Sequence, residues 1–304
     1  MSQFRRRRRV VNGVLLLDKP HGLSSNEAML VVRGIYQADK AGHTGTLDPL
    51  ATGLLPVCLG QATKLTSYLL DARKRYIAEV RLGARTSTGD IEGEVVETSD
   101  PSGLDEATLR SALPAFTGRI QQVPPMYSAL KRDGTRLYEL ARAGVEIERE
   151  PRQVEIHALD LLSFDGQTAV LDVRCSKGTY IRTLAEDWAR SLGQAAHLQG
   201  LRRIEVGPFQ PLTMVTLETL KRTVGEGAQA LDALLLPSRA ALAGWVFLRV
   251  DQVQIGLLSR GLPVPLAIKA SGSVAIEDEQ SRLLGLGEID AAGRLQPRRW
   301  FGAI

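Results

Sequence analysis

The strongest constraint on the fold is a pair of strand patterns joined by a two-residue turn. Residues 154–164 and 168–175 are rich in apolar and β-branched side chains, and Asp165 and Gly166 between them form a preferred hairpin turn. Strands with so short a connection pair in antiparallel fashion. The sequence therefore predicts a sheet that is mixed but largely antiparallel.

Helical patterns alternate irregularly with the strand patterns. Ser24 and Glu27 have the spacing of a capping box, and apolar residues follow at helical intervals. Residues 180–192 repeat apolar positions in the same way. Further helices are predicted at 105–116 and 135–143, and strands at 10–17, 75–82, 119–123, 126–130 and 201–206. This irregular order favours an α+β fold, with helices flanking the sheet, over a doubly wound parallel fold.

Residues 245–301 have a different residue pattern. Short strand patterns at 245–250, 274–277, 283–289 and 295–301 are separated by glycines. Closely spaced short strands of this kind predict a small β module. A chain of 304 residues has room for two unequal domains, which we expect at residues 1–244 and 245–304.

Residues 38–56 have the period of neither a helix nor a strand and are predicted to form one long loop. Asp48 is the single carboxylate of the central part, residues 42–53. A loop of this length in a compact domain is more often functional than filler. Asp48 also precedes Pro49, however, and that pair starts ordinary turns. Composition alone leaves both interpretations open.

The charge distribution points to a polyanionic partner. The formal net charge is +4 and the pI is about 9.2, with arginines throughout residues 5–9 and a second basic stretch at 174–203. The arginine run and the apolar residues after it lack a cleavage site, so we expect no secretory signal. The apolar stretch at 233–248 is interrupted by Pro237 and Arg239, and we expect no membrane span.

No pattern in the sequence predicts a cofactor or a metal. Cys58 and Cys175 lie far apart in apolar contexts, which indicates buried free thiols in a reducing cytoplasm. The histidines do not pair at the spacing of helix-borne metal ligands. Gly285 and Gly287 lack the third glycine of a dinucleotide fingerprint, and the sequence holds no P-loop. We therefore expect an activity that uses neither.

Five short segments, in order along the chain, resemble the TruB family of tRNA pseudouridine-55 synthases. They are DKPHGLSS, GTLDP, RY, VPPMYSALK and SKGTYIR, at residues 18–25, 45–49, 75–76, 123–131 and 176–182. The resemblance implies a bacterial, stand-alone isomerase that converts uridine 55 in the T loop of tRNA to pseudouridine. It implies that no guide RNA, obligatory partner protein, cofactor or metal takes part.

The same resemblance implies the domain organisation and the setting. The expected fold is that of pseudouridine synthases, with a thumb-like insertion at about residues 123–152 and a PUA-like RNA-binding barrel at residues 245–304. We expect a cytoplasmic monomer that binds the T arm of tRNA and no membrane. A non-catalytic RNA-binding protein and a guide-dependent relative are the rival interpretations.

The resemblance also implies the catalytic residues. Asp48 is the essential carboxylate, Arg182 is the cation that keeps it charged, and Tyr76 stacks on the target base and is a candidate base for the C5 proton. Without the resemblance, Tyr76 would be interpreted as a core residue of its strand. Attack of Asp48 on the base, attack on the sugar and proton abstraction from the sugar all use these residues, and the three routes stay open.

Four more residues are implied as substrate contacts. His43 matches a residue that fills the space left by a flipped nucleotide, and Tyr180 and Leu201 match contacts to the substrate. Lys19 is interpreted as mainly structural, with a phosphate contact as the alternative.

Overall fold

The chain folds around two main β-sheets. A computed structural model describes residues 8–128, 130–132, 134–209, 213–266 and 271–302. The strands are β1 (Gly13–Lys19), β2 (Ala41–His43), β3 (Thr52–Leu59), β4 (Lys74–Leu82), β5 (Ala84–Thr86), β6 (Val95–Thr98), β7 (Gly118–Gln122), β8 (Lys131–Arg132), β9 (Thr135–Arg136), β10 (Arg152–Phe164), β11 (Thr168–Cys175), β12 (Ala196–Val206), β13 (Val215–Thr216), β14 (Val246–Arg249), β15 (Val264–Pro265), β16 (Gly272–Glu277), β17 (Leu283–Ile289) and β18 (Arg294–Trp300).

Short helices connect and cover these strands. The α-helices are α1 (Ser25–Tyr36), α2 (Thr66–Leu70), α3 (Glu106–Ala112), α4 (Leu137–Arg142), α5 (Ile181–Ser191), α6 (Leu217–Thr223), α7 (Ala228–Asp232) and α8 (Gln252–Leu258), and 3-10 turns lie at Gly60–Leu65, Leu113–Phe116, Val224–Glu226 and Ser238–Leu242. Within the described ranges, no helix is both long enough and apolar enough to cross a membrane.

The large sheet is mixed and mainly antiparallel, as predicted. Its described strands run in the order β13-β1-β3-β12-β4-β11-β10-β7, and β2 pairs with β3. The parallel pairs are β1 with β13 and β3 with β12, and the other neighbours are antiparallel. The predicted hairpin is β10 and β11, and the Asp165 side chain stabilises its turn by accepting hydrogen bonds from the backbone amides of Gln167 and Thr168.

The small sheet is a half-barrel in the order β14-β16-β17-β18-β15. It has an apolar core of its own, which includes Ile276 and Leu295. A second cluster joins it to the large sheet, because Leu16 and Leu54 of the large sheet belong to the same buried cluster as Leu286. The two sheets therefore share apolar contacts, and the α+β architecture with a small C-terminal β module is confirmed.

Two helix predictions are also confirmed. Ser24 caps α1, with its side chain accepting from the backbone N–H of Glu27 while the Glu27 carboxylate accepts from the backbone N–H of Ser24. In α5, Leu184 and Trp188 face the sheet and are fully buried. Both helices pack on the large sheet next to the predicted site, α1 against β2 and β3 and α5 against β12 and β4.

Two sequence predictions are wrong. Residues 38–56 are not one loop, because β2 and part of β3 lie inside this range, which leaves a loop of residues 44–51. The pairing of β3 with β1, β2 and β12 overrides the local glycines and prolines. Residues 126–128 form bends rather than a strand, residue 130 belongs to no strand, and Ala129 lies outside the described residues. Here the chain turns tightly, with the amide of Ser128 donating to the carbonyl of Met126 at 2.9 Å.

Several predicted boundaries shift. The helix predicted at 105–116 is α-helical only to Ala112 and continues as a 3-10 turn that contains Pro114, which has no N–H for an α-helical bond. The helix predicted at 135–143 begins at Leu137, because the residues before it form β9. The strand predicted at 10–17 is Gly13–Lys19, that at 201–206 begins at Ala196, and that at 119–123 is Gly118–Gln122.

Gly53→Ala tests the close packing of β3 against β12. The φ of Gly53 is +96°, and a Cβ atom there would lie 2.3 Å from the carbonyl oxygen of Arg203 on β12. We expect Gly53→Ala to lower the free energy of unfolding by about 2 kcal/mol or more, since both strain and a backbone clash act. Urea denaturation measures the loss. Gly103→Ala is the matched control, because nothing lies within 4 Å of a Cβ at that position; equal losses in the two variants would contradict the expectation.

Candidate active site

The aspartate loop, residues 44–51, carries Asp48. Hydrogen bonds from α1 and from the segment before it hold this loop in place. Ser25 in the first turn of α1 both accepts from the amide of Leu47 at 2.7 Å and donates to its carbonyl at 3.1 Å. The amide of Gly22 and the ammonium of Lys19 donate to the carbonyl of Pro49, at 2.9 and 3.3 Å. The residues on both sides of Asp48 are therefore fixed, and its carboxylate has a defined place.

Arg182 is the cation nearest to that carboxylate. One guanidinium nitrogen of Arg182 lies 3.0 Å from Asp48 Oδ2, and the Arg182 side chain is only 5% exposed. The guanidinium also donates to the backbone carbonyls of Thr88 and Tyr127, at 2.7 and 2.6 Å. Since it is held at several points, it can pair with Asp48 without losing further side-chain freedom on substrate binding.

A second carboxylate lies on the other side of Arg182. Asp90 is 3% exposed, and its Oδ2 lies 3.7 Å from Arg182 Nη1. Its other oxygen accepts from the Thr88 hydroxyl at 2.6 Å and from the amide of Glu92 at 3.1 Å. Arg182 is thus shared between two acids.

The protein around Asp48 raises the pKa of its carboxyl group above the usual value. Burial is the main cause; the charge of Arg182 opposes it, and the nearby charge of Asp90 adds to it. A raised pKa makes the ionised carboxylate a stronger proton acceptor and nucleophile than a surface aspartate. The Asp48 side chain is 39% exposed, so a ligand in the cavity can reach it.

Tyr76 and Leu201 lie on adjacent strands of the sheet beneath the aspartate loop. Tyr76 lies on β4 opposite Arg203 of β12, and Leu201 lies opposite Ala78. The Tyr76 side chain is 8% exposed and shares the buried face of β4 with Ala78, as the alternating pattern predicted. Burial raises the pKa of the Tyr76 hydroxyl, while Arg203 opposes this rise.

Tyr180 is held at the start of α5 by a side chain from β7. The amide group of Gln122 accepts from the backbone N–H of Tyr180 at 2.8 Å and donates to its carbonyl at 3.0 Å. This double contact fixes the start of the helix that carries Arg182. The sheet edge therefore positions Tyr180 and Arg182 together.

A cavity of about 310 Å³ joins these groups, which is within the size range of small-ligand sites. Five predicted residues line it: Asp48, Tyr76, Tyr180, Arg182 and Leu201. Ser128 and Leu130, from the segment 123–152, also line it. Lys74, Arg182 and Arg203 contribute positive charge, and among the lining residues that the structure describes Asp48 is the one carboxylate. The cavity therefore suits an anionic ligand.

Two predicted residues lie beside the cavity rather than in its lining. Lys19 is fully buried, and its ammonium also donates to the carbonyl of Pro20 at 2.8 Å. Burial lowers the pKa of Lys19 to about 8. His43 lies on β2, half-buried, and burial and the charge of Arg203 lower the pKa of its ring. Both lie next to the aspartate loop. His43 directly precedes the loop in sequence, and the Lys19 ammonium donates to Pro49 within it.

Sequence reasoning missed three charged residues that the structure brings to this site. Asp90 follows Thr88 and Gly89, a pattern typical of an ordinary turn. Lys74 and Arg203 lie in strand patterns, where basic residues normally indicate an exposed face. No local signal distinguishes them, because their burial depends on strand pairing. In the part of the chain that the structure describes, no group of three or more His, Cys, Asp or Glu side chains could hold a metal ion.

Three family models match the chain in sequence order. The model described as TruB family pseudouridylate synthase, N-terminal domain, matches residues 33–181. The tRNA pseudouridylate synthase B C-terminal domain matches residues 182–243, and Pseudouridine synthase II TruB, C-terminal, matches residues 248–301. Together these matches include every predicted site residue except Lys19.

Full-length relatives are similar to the chain. It is 52% identical over 302 residues to tRNA pseudouridine synthase B of Stutzerimonas stutzeri, covering 98% of each chain. It is 52% identical over 303 residues to tRNA pseudouridine synthase B of Aromatoleum aromaticum, covering 100% of this chain and 97% of that one.

Solved structures are similar in fold. A Cbf5-Nop10-Gar1 complex contains a chain that superposes with a TM-score of 0.73 at 26% identity, covering 96% of this chain and 85% of that chain. An H/ACA RNP bound to a substrate RNA containing 2'-deoxyuridine gives a TM-score of 0.72 at 25% identity, covering 95% and 84%.

The buried lysines predict how stability depends on pH. Burial lowers the pKa of both Lys19 and Lys74 to about 8, below the unfolded value of 10.5. Above about pH 8 the unfolded chain therefore binds more protons, and stability rises with pH, by at most about 1.4 kcal/mol per pH unit for each lysine. Burial raises the pKa of Cys58 to about 12 and of Cys175 to about 11, which acts in the opposite direction above pH 9.

Urea denaturation between pH 8 and pH 9 should accordingly show a rising free energy of unfolding. Lys74→Met should reduce the slope, because it removes one of the two protons involved. A free energy that stays flat or falls across this interval would show that the folded protein does not lower the pKa values of these two lysines.

Proposed function

The chain belongs to the TruB family of pseudouridylate synthases, which are isomerases, and we propose that its reaction is the conversion of uridine 55 to pseudouridine in the T loop of tRNA. The relatives that are named tRNA pseudouridine synthase B, similar over nearly the whole length, support tRNA as the substrate. The proposed setting is the cytoplasm, with the protein acting as a monomer.

One observation carries the proposal. Asp48 and Arg182 pair at 3.0 Å inside a cavity that also contains Tyr76. Isomerisation of uridine breaks the bond between N1 and the ribose, turns the base and forms a bond from C5. These steps need a reactive carboxylate, a cation that keeps it ionised, and an aromatic face on which a loosened base can turn. The three side chains supply these functions in one place.

Asp48 supports each of the three routes that the sequence left open. Its raised pKa suits proton abstraction from the sugar, and its partial exposure suits attack on either the base or the sugar. In every route Arg182 stabilises the ionised carboxylate of Asp48 before the reaction. It is also placed to pair with that carboxylate again afterwards. Substrate and product have the same atoms, so the reaction needs no reductant, oxidant or energy source.

The target nucleotide must leave its stack to enter the cavity. Flipping costs a few kcal/mol of lost stacking, which contacts with the protein must offset. Tyr76, Tyr180 and Leu201 line the cavity and are proposed to hold the flipped base. His43 is proposed to occupy the space left in the RNA, and Lys19, with its ammonium bound to two carbonyls, to be mainly structural.

The proposed domains extend this contact along the RNA. Residues 1–244 form the catalytic domain, and the segment 123–152 is a thumb that closes on the T arm; Ser128 and Leu130 of this segment already line the cavity. Residues 245–304 form the PUA-like domain. Because arginines contact phosphates through charge, affinity for the RNA is expected to fall steeply with salt.

Similarity to a chain of an H/ACA RNP favours a guide-dependent enzyme as the second candidate. The two candidates differ in what they need. A stand-alone enzyme acts on a stem–loop RNA alone, whereas a guide-dependent enzyme is inactive until guide RNA and partner proteins are added.

Asp48→Asn tests the role of the carboxylate. The variant is expected to bind T-arm RNA within about tenfold of the wild type and to form no pseudouridine, because it keeps the shape of the loop and loses the reactive group. Tritium release from C5-tritiated uridine in a stem–loop RNA, with EDTA and no other component, measures turnover. Turnover by the variant would remove Asp48 from the mechanism, and an inactive wild type that still binds the RNA would favour the second candidate or a non-catalytic RNA-binding protein.

Arg182→Lys tests the need for a planar cation. Lysine keeps the charge but cannot contact Asp48, Thr88 and Tyr127 together, as the guanidinium does. We expect a loss of at least about tenfold in the single-turnover rate with unchanged RNA affinity. A wild-type rate in this variant would show that positive charge alone is sufficient.

A further inference from the structure

Arg203 is a buried cation for which the proposed reaction has so far no role. Its side chain is on β12 and the residue is 1% exposed. Its Nε donates to the carbonyl of Leu54 at 2.8 Å, and its Nη2 donates to the carbonyl of Gly45 at 3.1 Å. Among the described residues, no carboxylate forms an ion pair with it. A buried charge without an acid partner is costly, so its retention calls for an explanation.

Lys74 brings a second cation to the same wall of the cavity. It is 8% exposed, and its ammonium donates to the carbonyls of Leu70 and Ala72, at 2.6 and 2.7 Å. A Cβ atom on Gly45 would lie 3.5 Å from Arg203 Nη1 and 3.8 Å from Lys74 Cε, so the two side chains converge there. Carbonyl groups solvate both cations without neutralising them.

Tyr76 lies on the same buried face of the sheet as this pair. It lies directly opposite Arg203 in the β4–β12 pairing and two residues after Lys74 on β4. The charged and titratable groups with the largest effect on the pKa of its hydroxyl are Arg203 from β12, Cys175 from β11 and Asp48 from the aspartate loop. Cys175 is buried and carries no charge near neutral pH, because burial raises its pKa to about 11. Asp48 is paired with Arg182.

We propose that Arg203, assisted by Lys74, is a positioning residue that supplies the counter-charge for a Tyr76 phenolate, and that this phenolate removes the C5 proton. The inference rests on the proposed function. It assigns the buried positive charge to the last chemical step, and the same guanidinium also holds Gly45 of the aspartate loop and Leu54 of β3, the strand that follows the loop.

The step balances in protons and electrons. After the base has rejoined through C5, this carbon bears both the sugar and a hydrogen. The phenolate oxygen takes that proton, the C5–H electron pair forms the C5–C6 double bond, and the N1–C6 π electrons move to N1. N1 then takes a proton from water, and the Tyr76 hydroxyl returns its proton to water. No oxidant or reductant is involved.

Two readouts separate this role from that of a structural clamp. The single-turnover rate is measured with C5-protium and C5-deuterium uridine in the stem–loop RNA, and again across the pH range below about 8, where Lys74 keeps its charge. We expect Arg203→Met to lose at least about tenfold in rate, to show a larger isotope effect than the wild type, and to recover activity as the pH rises. Lys74→Met should change in the same direction by less.

Charge-preserving and neighbouring variants provide the controls. Arg203→Lys keeps the charge and should keep the wild-type isotope effect, even where shortened contacts lower its rate. Arg202→Met alters the adjacent residue, whose guanidinium pairs with Asp18 outside the cavity lining, and should also keep the wild-type isotope effect. If Arg203→Met does not fold, Lys74→Met and Arg203→Lys provide the same comparison.

The proposal is overturned if Arg203→Met and Lys74→Met both fold and show the wild-type isotope effect and pH dependence, whatever their rates. Arg203 would then only clamp the aspartate loop. These outcomes are distinct from failure of the proposed function, because that failure would appear as an inactive wild type on the same RNA.

Discussion

The site depends on keeping one carboxylate ionised and reachable in a mostly buried place. Burial alone would drive Asp48 towards its neutral form, and Arg182 opposes this at a distance of 3.0 Å. The surrounding elements serve this contact from two sides. Ser25 of α1 fixes the aspartate loop through Leu47, and Gln122 of β7 fixes the start of α5, which carries Arg182. A displacement of either support would separate the ion pair and leave a charge buried without its partner.

Much of the fold follows from local signals in the sequence. The capping box of Ser24 and Glu27, the turn at Asp165 and the apolar stripe of α5 each satisfy backbone groups or bury apolar surface locally, and each is found as predicted. The failures occur where distant strands decide. β3 pairs with three other strands, and this pairing keeps it a strand although it contains Gly53 and Pro56. The bends at residues 126–128 direct a backbone carbonyl towards Arg182, which donates a hydrogen bond to it. A pattern confined to one segment contains neither contact.

The predicted and the missed residues of the site differ in the same way, by whether a local pattern indicates them. The resemblance named Asp48, Tyr76, Tyr180, Arg182 and Leu201, and the cavity brings these five together. It did not indicate Asp90, Lys74 or Arg203, because a basic or acidic residue in a strand or a turn is usually solvated. Asp90 and Arg203 contact residues more than ten positions away in the sequence: Asp90 contacts Arg182, and Arg203 contacts Leu54 and Gly45. Residues that act through other residues are therefore the ones that sequence reasoning fails to find.

Several buried cations lie in or beside the cavity. Lys74, Arg182 and Arg203 line the cavity and Lys19 lies beside it. All four are nearly or fully buried, and of these Arg182 forms ion pairs with Asp48 and Asp90. Each unpaired cation lowers stability, as the lowered pKa values of Lys19 and Lys74 indicate. In the proposed reaction, phosphate groups of the RNA and negative charge that develops on the base would offset this positive charge. Under this proposal, the local excess of positive charge lowers the stability of the free protein and becomes favourable when negative charge develops in the reaction.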